Sequence, residues 1–255
     1  MLALWERRLL RGHLAARHPR LTFMFYWLMK HWVIGPLLTT VFRPWVTGLE
    51  NIPRTGPVII VCNHLSFVDS VFLPMMVDRQ MAFLAKSDYF TGKGFKGWLV
   101  RFFMTSSGQL PIDRSGGKAS EASLNAGLAV LAEGKVLAIY PEGTRSPDGR
   151  LYRGRTGVAR MVLGAGIPVI PTAVIDTDKV MPLGVTLPKV HRVGIVIGEP
   201  LDFSRFQGME GDRFVLRSIT DEIIHEMHKL GTQEYVDVYA STIRNPAPGE
   251  PSRVG

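Results

Sequence analysis

A largely parallel α/β sheet flanked by helices is the fold class that the sequence predicts, and three observations predict it. Downstream of Gly48, short apolar runs alternate with segments whose apolar residues recur at helical spacing. Alternation of this kind builds crossover units, each strand followed by a helix that covers the sheet. The pattern is broken by no internal repeat and no domain-sized linker. With 46% hydrophobic residues in a chain of 255, there is ample material for one large core, and disorder of the whole chain is excluded.

The first stretch stands apart from that pattern. Residues 1–20 hold Arg7, Arg8, Arg11, Arg17 and Arg20 against one acid, Glu6, so they carry half of the chain's net charge of +8. That excess points to an anionic partner. From Pro19 to Pro36 the chain is apolar and aromatic almost throughout, interrupted by Lys30 and His31. A helix of its roughly 15 residues is about 22 Å long at 1.5 Å per residue, short of a hydrocarbon core of roughly 30 Å. It is expected to lie in a membrane interface, with Lys30 and the early arginines near lipid headgroups and a kink or break at Pro36. A buried packing helix is the alternative. Because no small-residue cleavage site follows the apolar segment, this terminus is expected to be retained.

Strands are predicted at 58–62, 81–85, 109–112, 136–140, 168–175 and 190–197, and helices near 67–77, 94–104, 118–133, 156–164 and 212–230. Leu216, Ile219, Ile223, Met227 and Leu230 make the last helix a covering helix with a core-facing stripe. Two prolines, Pro168 and Pro171, in the fifth strand predict an edge or bulged strand, with an acyl groove as the surface it would line. Three units follow: an N-terminal helical segment at 1–45, an α/β domain at 46–230 and a C-terminal extension at 231–255. That extension is expected to be disordered toward its Pro- and Gly-rich end.

The stretch Asn63-His64-Leu65-Ser66-Phe67-Val68-Asp69 falls between the first of these strands and its helix. Catalytic and ligand-binding groups of open α/β sheets gather at such strand ends. His64 and Asp69 are five apart, about 140° around an ideal helix, so they meet only if His64 lies in the turn and Asp69 in the first helical turn. Asp69 would then fix the imidazole tautomer and leave the other nitrogen free to take a proton from a substrate hydroxyl. The purely structural alternative is a capping box, Ser66 capping the helix and Asp69 reaching back to a backbone N–H. Cys62, the single cysteine, lies two residues from His64 and is either a nucleophile or a small buried hydrophobe. One cysteine excludes a cysteine-rich metal framework, and no metal is expected.

Three further blocks carry candidate chemistry. Gly108-Gln109-Leu110-Pro111-Ile112-Asp113-Arg114 ends in an arginine that either binds phosphate or pairs with its neighbour. Tyr140-Pro141-Glu142-Gly143-Thr144-Arg145-Ser146 follows a strand and sets Arg145 at its carboxyl end, with Glu142 able to hold Arg145 or a substrate hydroxyl. Ile170-Pro171-Thr172-Ala173-Val174 completes the series. The basic residues follow no RNA-binding or recognition-helix pattern, so nucleic acid is not an expected partner.

In order and spacing these four blocks resemble those of the glycerolipid acyltransferases, the 1-acylglycerol-3-phosphate acyltransferase family, over roughly residues 45–205. The resemblance implies that His64 and Asp69 form a catalytic dyad. It implies further that Arg145, with Glu142, Gly143 and Thr144, binds the acceptor's phosphate end, that Lys86 in Phe-Leu-Ala-Lys assists, and that Arg114 is a further phosphate contact. The implied reaction moves a fatty acyl group from acyl-CoA or acyl carrier protein, as co-substrate, to lysophosphatidic acid. No cofactor takes part, and the setting is a lipid surface at the cytoplasmic face of the cell membrane. Glycerol 3-phosphate as acceptor, a Cys62 acyl hydrolase and a non-catalytic membrane binder are the rival readings. Pro111 lacks an N–H, which argues against the second block's strand as an oxyanion hole.

Overall fold

In the computed structural model, residues 19–106, 108–112 and 117–244 are described. The arginines at 7, 8, 11 and 17, the pair Asp113 and Arg114, and the expected disordered end at 245–255 lie outside them.

Seven strands form the main sheet: β1 (Trp45–Thr47), β2 (Val58–Cys62), β3 (Met81–Lys86), β4 (Leu110–Ile112), β5 (Val136–Ile139), β7 (Val169–Ile175) and β8 (Gly194–Ile197). Their order is β1-β8-β7-β2-β5-β3-β4. All neighbours from β7 through β2, β5 and β3 to β4 pair in parallel, while β8 runs antiparallel to β7 and carries β1 alongside it. Five of the seven strands therefore share one direction, and the sheet is mostly parallel with helices on both faces.

The two faces follow from the period of two along a strand. Val58, Ile60 and Cys62 of β2 point into one core with Phe72 and Leu73 of the helix Asp69–Met76, whereas Ile59 and Val61 point into the other. That second core is closed by the helices Gly157–Ala165 and Arg213–Leu230. The long helix begins where the Asp212 carboxylate accepts from the N–H groups of Phe214 and Val215. It buries Leu216, Ile219, Ile223 and Met227, the stripe that its sequence period predicts.

Pro171 corrects the edge-strand expectation, because β7 is an interior strand paired with both β2 and β8. Its carbonyl accepts from Gly198 N–H at 2.8 Å, one residue past the end of β8. Pairing resumes beyond Pro171 at Val169↔Leu201, shifted by one residue from the Thr172↔Ile197 register, so the missing proline N–H falls at a bulge, the other form of the expectation. Pro111 does occupy an edge, in β4.

The N-terminal segment forms one helical rod: Pro19–Leu28, a π-helical turn at Met29–Val33, then Ile34–Val41. Pro36 does not break it, and the irregularity expected here takes the form of that π-helical turn, with Val33 at φ −121° and ψ −73°. The wide turn immediately before it relieves the clash that a proline ring makes with an ordinary preceding turn. Gly35 is required there, since a Cβ would lie 1.9 Å from the Lys30 carbonyl oxygen. Lys30 also departs from expectation: it is buried, not at a headgroup level. Its ammonium donates to the carbonyls of Pro74 and Val77, the orphaned acceptors at the end of the helix Asp69–Met76, and burial lowers its pKa. The outer face of the rod exposes Met24, Trp27, Leu28, Trp32, Val33, Leu37 and Val41. Among the described residues no helix is long and apolar enough to cross a membrane.

After Leu230 the chain returns to the domain. β9 (Tyr235–Val236) pairs in parallel with β6 (Leu151–Tyr152), and the Arg153 N–H donates to the Val238 carbonyl. Neither two-residue strand is long enough to leave a periodic signal.

Candidate active site

β2 ends where Asn63 takes over its pairing. The Asn63 side chain donates to the Val174 carbonyl at 2.9 Å and accepts from the Val174 N–H at 2.7 Å, so an amide side chain continues the contact with β7. It also donates to Gln233, which in turn donates to the Gly149 carbonyl at 2.6 Å. The backbone is then free to turn at His64 while its start stays fixed.

Both backbone groups of His64 are held by the loop after β5, the strand beside β2. The His64 N–H donates to Glu142 Oε1 at 3.1 Å, and its carbonyl accepts from the Ser146 N–H at 2.7 Å. Glu142 Oε2 accepts from the Tyr152 N–H at 3.1 Å, so this buried carboxyl joins three segments by backbone contacts. Of the expected partners, Arg145 makes no hydrogen bond or ion pair with it. Burial pushes the Glu142 carboxyl up to about 8, against the downward pull of the two N–H groups.

The side chains of His64 and Asp69 meet. His64 Nδ1 lies 2.8 Å from Asp69 Oδ2, and the same oxygen accepts from the Leu65 and Ser66 N–H groups, each at 2.8 Å. An ionised carboxylate can only accept, so Nδ1 carries the proton and Nε2 has the lone pair. Asp69 is fully buried, whereas His64 is 18% exposed, which leaves an imidazole edge reachable from outside. Half of the predicted capping box exists as well, since Asp69 does reach back to Ser66. Ser66 Oγ accepts from the Val68 N–H at 3.4 Å and donates to the Met181 carbonyl at 2.7 Å.

Tyr140 is a site residue that the sequence reading missed. Its ring stacks on the His64 imidazole with centroids 3.8 Å apart and planes at 9°, and its hydroxyl lies 2.9 Å from Ser70 Oγ. Burial, then the nearby Asp69 charge, keeps the phenol pKa well above its ordinary value. An aromatic residue at the end of β5, next to β2, was the available signal.

Gly143 has φ of 74°, the left-handed region that favours glycine in this turn. Arg145 stands half-buried, one residue before the Ser146 that grips the His64 carbonyl, and makes no hydrogen bond or ion pair among the described residues. Arg150, by contrast, is committed to Asp148 at 2.6 Å. Lys86 is the last residue of β3, paired with Ile112 at the same carboxyl edge; its side chain and all of Arg114 lie outside the described residues. Cys62 is fully buried, its thiol 3.5 Å from Asn63 Oδ1 and its pKa pushed well up by burial, the opposite of an activated thiolate. Among the described residues no three His, Cys, Asp or Glu side chains converge as a metal site would.

Fold and site together define an α/β protein in which a His–Asp pair and a basic, glycine-containing turn meet at the carboxyl edge of a mostly parallel sheet. The Acyltransferase family model matches residues 43–175, and the chain belongs to that family. It is similar to a Bacillus subtilis (strain 168) protein named 1-acyl-sn-glycerol-3-phosphate acyltransferase, 30% identical over 170 residues, covering 65% of this chain and 78% of that one. A chloroplastic Arabidopsis thaliana protein, 1-acyl-sn-glycerol-3-phosphate acyltransferase LPAT1, is 30% identical over 162 residues, 63% of this chain and 44% of that protein. The chain thus spans less than half the length of this plant relative. The crystal structure of the 1-acyl-sn-glycerophosphate (LPA) acyltransferase PlsC from Thermotoga maritima shares the fold, with a TM-score of 0.57 and 24% identity over 81% of this chain and 87% of that one.

Proposed function

We propose that the protein transfers a fatty acyl group from acyl-CoA or acyl carrier protein to the free hydroxyl of lysophosphatidic acid, forming phosphatidic acid. The observation that carries this reading is the pairing of His64 Nδ1 with buried Asp69, which leaves Nε2 unpaired, in a turn held by the Ser146 N–H one residue after Arg145, whose guanidinium makes no hydrogen bond or ion pair among the described residues. Family membership and the names of the relatives support the reaction class.

His64 Nε2 takes the proton of the acceptor hydroxyl as its oxygen attacks the thioester carbonyl, and Asp69 steadies the imidazolium. The C–S bond then breaks, and the leaving thiolate recovers the proton from His64. General-base assistance of this kind contributes on the order of 10²–10⁴ in rate. Arg145 binds the acceptor's phosphate, with Lys86 and Arg114 as additional cations, while Glu142, Gly143 and Thr144 shape the turn that presents it. The exposed aromatic face of the N-terminal rod seats the enzyme on the cytoplasmic face of a membrane, where both its lipid substrate and product reside.

A mass-spectrometric product assay with both donors, and with lysophosphatidic acid and glycerol 3-phosphate as acceptors, tests the proposal. Phosphatidic acid from the first acceptor is the expected product, lowered at least about 10²-fold in a folded His64→Ala variant. Full activity of that variant would overturn the dyad, and turnover of glycerol 3-phosphate alone would overturn the acceptor.

A further inference from the structure

Between the short helix Thr177–Val180 and β8, residues 181–192 form a crossover that is fastened at both ends. The Met181 carbonyl accepts from Ser66 Oγ at 2.7 Å, and the Lys189 N–H donates to the Val180 carbonyl at 2.7 Å. At the far end, Arg192 Nε donates to the Arg43 carbonyl at 3.2 Å, and the Trp45 N–H donates to the Val193 carbonyl at 3.0 Å. Those last contacts place the crossover against the chain that leaves the helix Ile34–Val41. Since Gly194 pairs with both Trp45 and Ile175, this junction lies at the carboxyl edge of the parallel strands, the edge that bears His64.

Its side chains are turned the wrong way for a soluble loop. Leu187 is 78% exposed and Val190 is 70% exposed, with Leu183 and Val185 also open to solvent. Residues 181–193 contain no acid, while Lys189 and Arg192 are exposed cations. Lys189 meets no carboxylate among the described residues, and Asp176, which pairs with this segment's His191 at 3.2 Å, is also held by Lys179 at 2.8 Å. Exposed aliphatic side chains beside cations that meet no carboxylate among the described residues are complementary to an anionic bilayer surface, apolar carbons below and phosphates above. The rod also exposes Leu37 and Val41, and the chain that leaves it is tied to this segment by the Arg192–Arg43 contact.

We propose that residues 181–192 form a second membrane-insertion element. Leu187 and Val190 enter the headgroup–acyl boundary, Lys189 and Arg192 meet lipid phosphates, and the carboxyl edge with His64 is thereby held against the surface. The proposal rests on the membrane-bound reading above and adds a contact that the N-terminal rod does not supply. Two points of attachment fix the tilt of the sheet, where a single rod would leave it free to swing.

The test uses the full chain carrying an environment-sensitive fluorophore on Leu187→Cys, with Trp32→Cys on the rod as a parallel probe; Cys62 is buried and resists labelling. On addition of mixed phosphatidylglycerol and phosphatidylcholine vesicles, both probes are expected to shift to shorter wavelength. Leu187→Asp/Val190→Asp is expected to weaken vesicle binding at least about tenfold, because burying one such side chain alone corresponds to roughly that factor. Turnover of a short-chain, water-soluble acceptor should be unchanged in that variant. A shift at position 32 without one at 187, or wild-type vesicle binding by the double variant, overturns the second element. No shift at either position overturns the membrane reading as well, and a vesicle-independent shift that grows with protein concentration assigns the face to a second copy of the chain and overturns the lipid assignment.

Discussion

Asp69→Asn separates chemistry from local structure more cleanly than any other change at the site. The asparagine has the same size, and its carbonyl oxygen can still accept from Leu65 N–H, Ser66 N–H and His64 Nδ1–H, the three donors that Asp69 Oδ2 serves. Its NH₂ would take the place of Asp69 Oδ1, which has no hydrogen-bond partner among the described residues. Geometry is therefore nearly preserved, and weakening charge-assisted bonds to neutral ones should cost about 1–2 kcal/mol, offset in part because no charge remains buried. For a domain of this size that is a fall of about 2–8 °C in melting temperature. The rate should suffer far more. A carboxylate and an imidazolium about 4 Å apart between charge centres interact by about 4 kcal/mol at an effective dielectric constant of 20, which is on the order of 10³ in kcat/KM. The assay pairs thermal unfolding with acyl-transfer kinetics at saturating donor. Activity within about threefold of the original would refute the electrostatic role, and collapse of the fold would show that the carboxylate acts mainly as the anchor of the turn.

Tyr140→Leu should remove the ring stacked on the His64 imidazole and with it part of the ring's orientation. A loss of about 1 kcal/mol lowers kcat/KM roughly fivefold, while Tyr140→Phe keeps the stack and should keep the rate. An unchanged rate in the leucine variant would rule out the positioning role. Glu142→Gln should destabilise the protein by about 1–3 kcal/mol by thermal or urea unfolding. The reason is that each Glu142 oxygen accepts a backbone N–H, and an amide nitrogen has no lone pair to offer, whereas even a protonated carboxyl does. The same residue sets a pH dependence. Its folded pKa, about 8, lies above the ordinary 4.5, so the folded chain retains a proton that the unfolded chain releases. Its contribution to stability is complete below about 4.5 and lost as pH rises through about 8, a slope that the Gln variant should lack in urea titrations.

Residue order alone determined the layers and the edge where the chemistry gathers. The run Val58–Cys62 is apolar at every position because both faces of an interior parallel strand are covered, and the stripe on the helix Arg213–Leu230 has the period of a helix with one buried side. His64 and Asp69 were legible as a pair because five residues span one turn from strand to helix, a distance over which local geometry decides everything. Tertiary structure decided the rest, and each case involves a partner distant in sequence. Glu142 binds the His64 backbone across 78 residues, and Lys30 turns inward to carbonyls 44 and 47 residues away. Pro171 sits inside the sheet because the chain after β8 bulges by one residue beside it. Hydrophobic period reports only whether a side chain is buried. It carries no record of which strand lies alongside, in which direction it runs, or which backbone group waits at the end of a long side chain, and those were the choices that made Tyr140 a neighbour of His64.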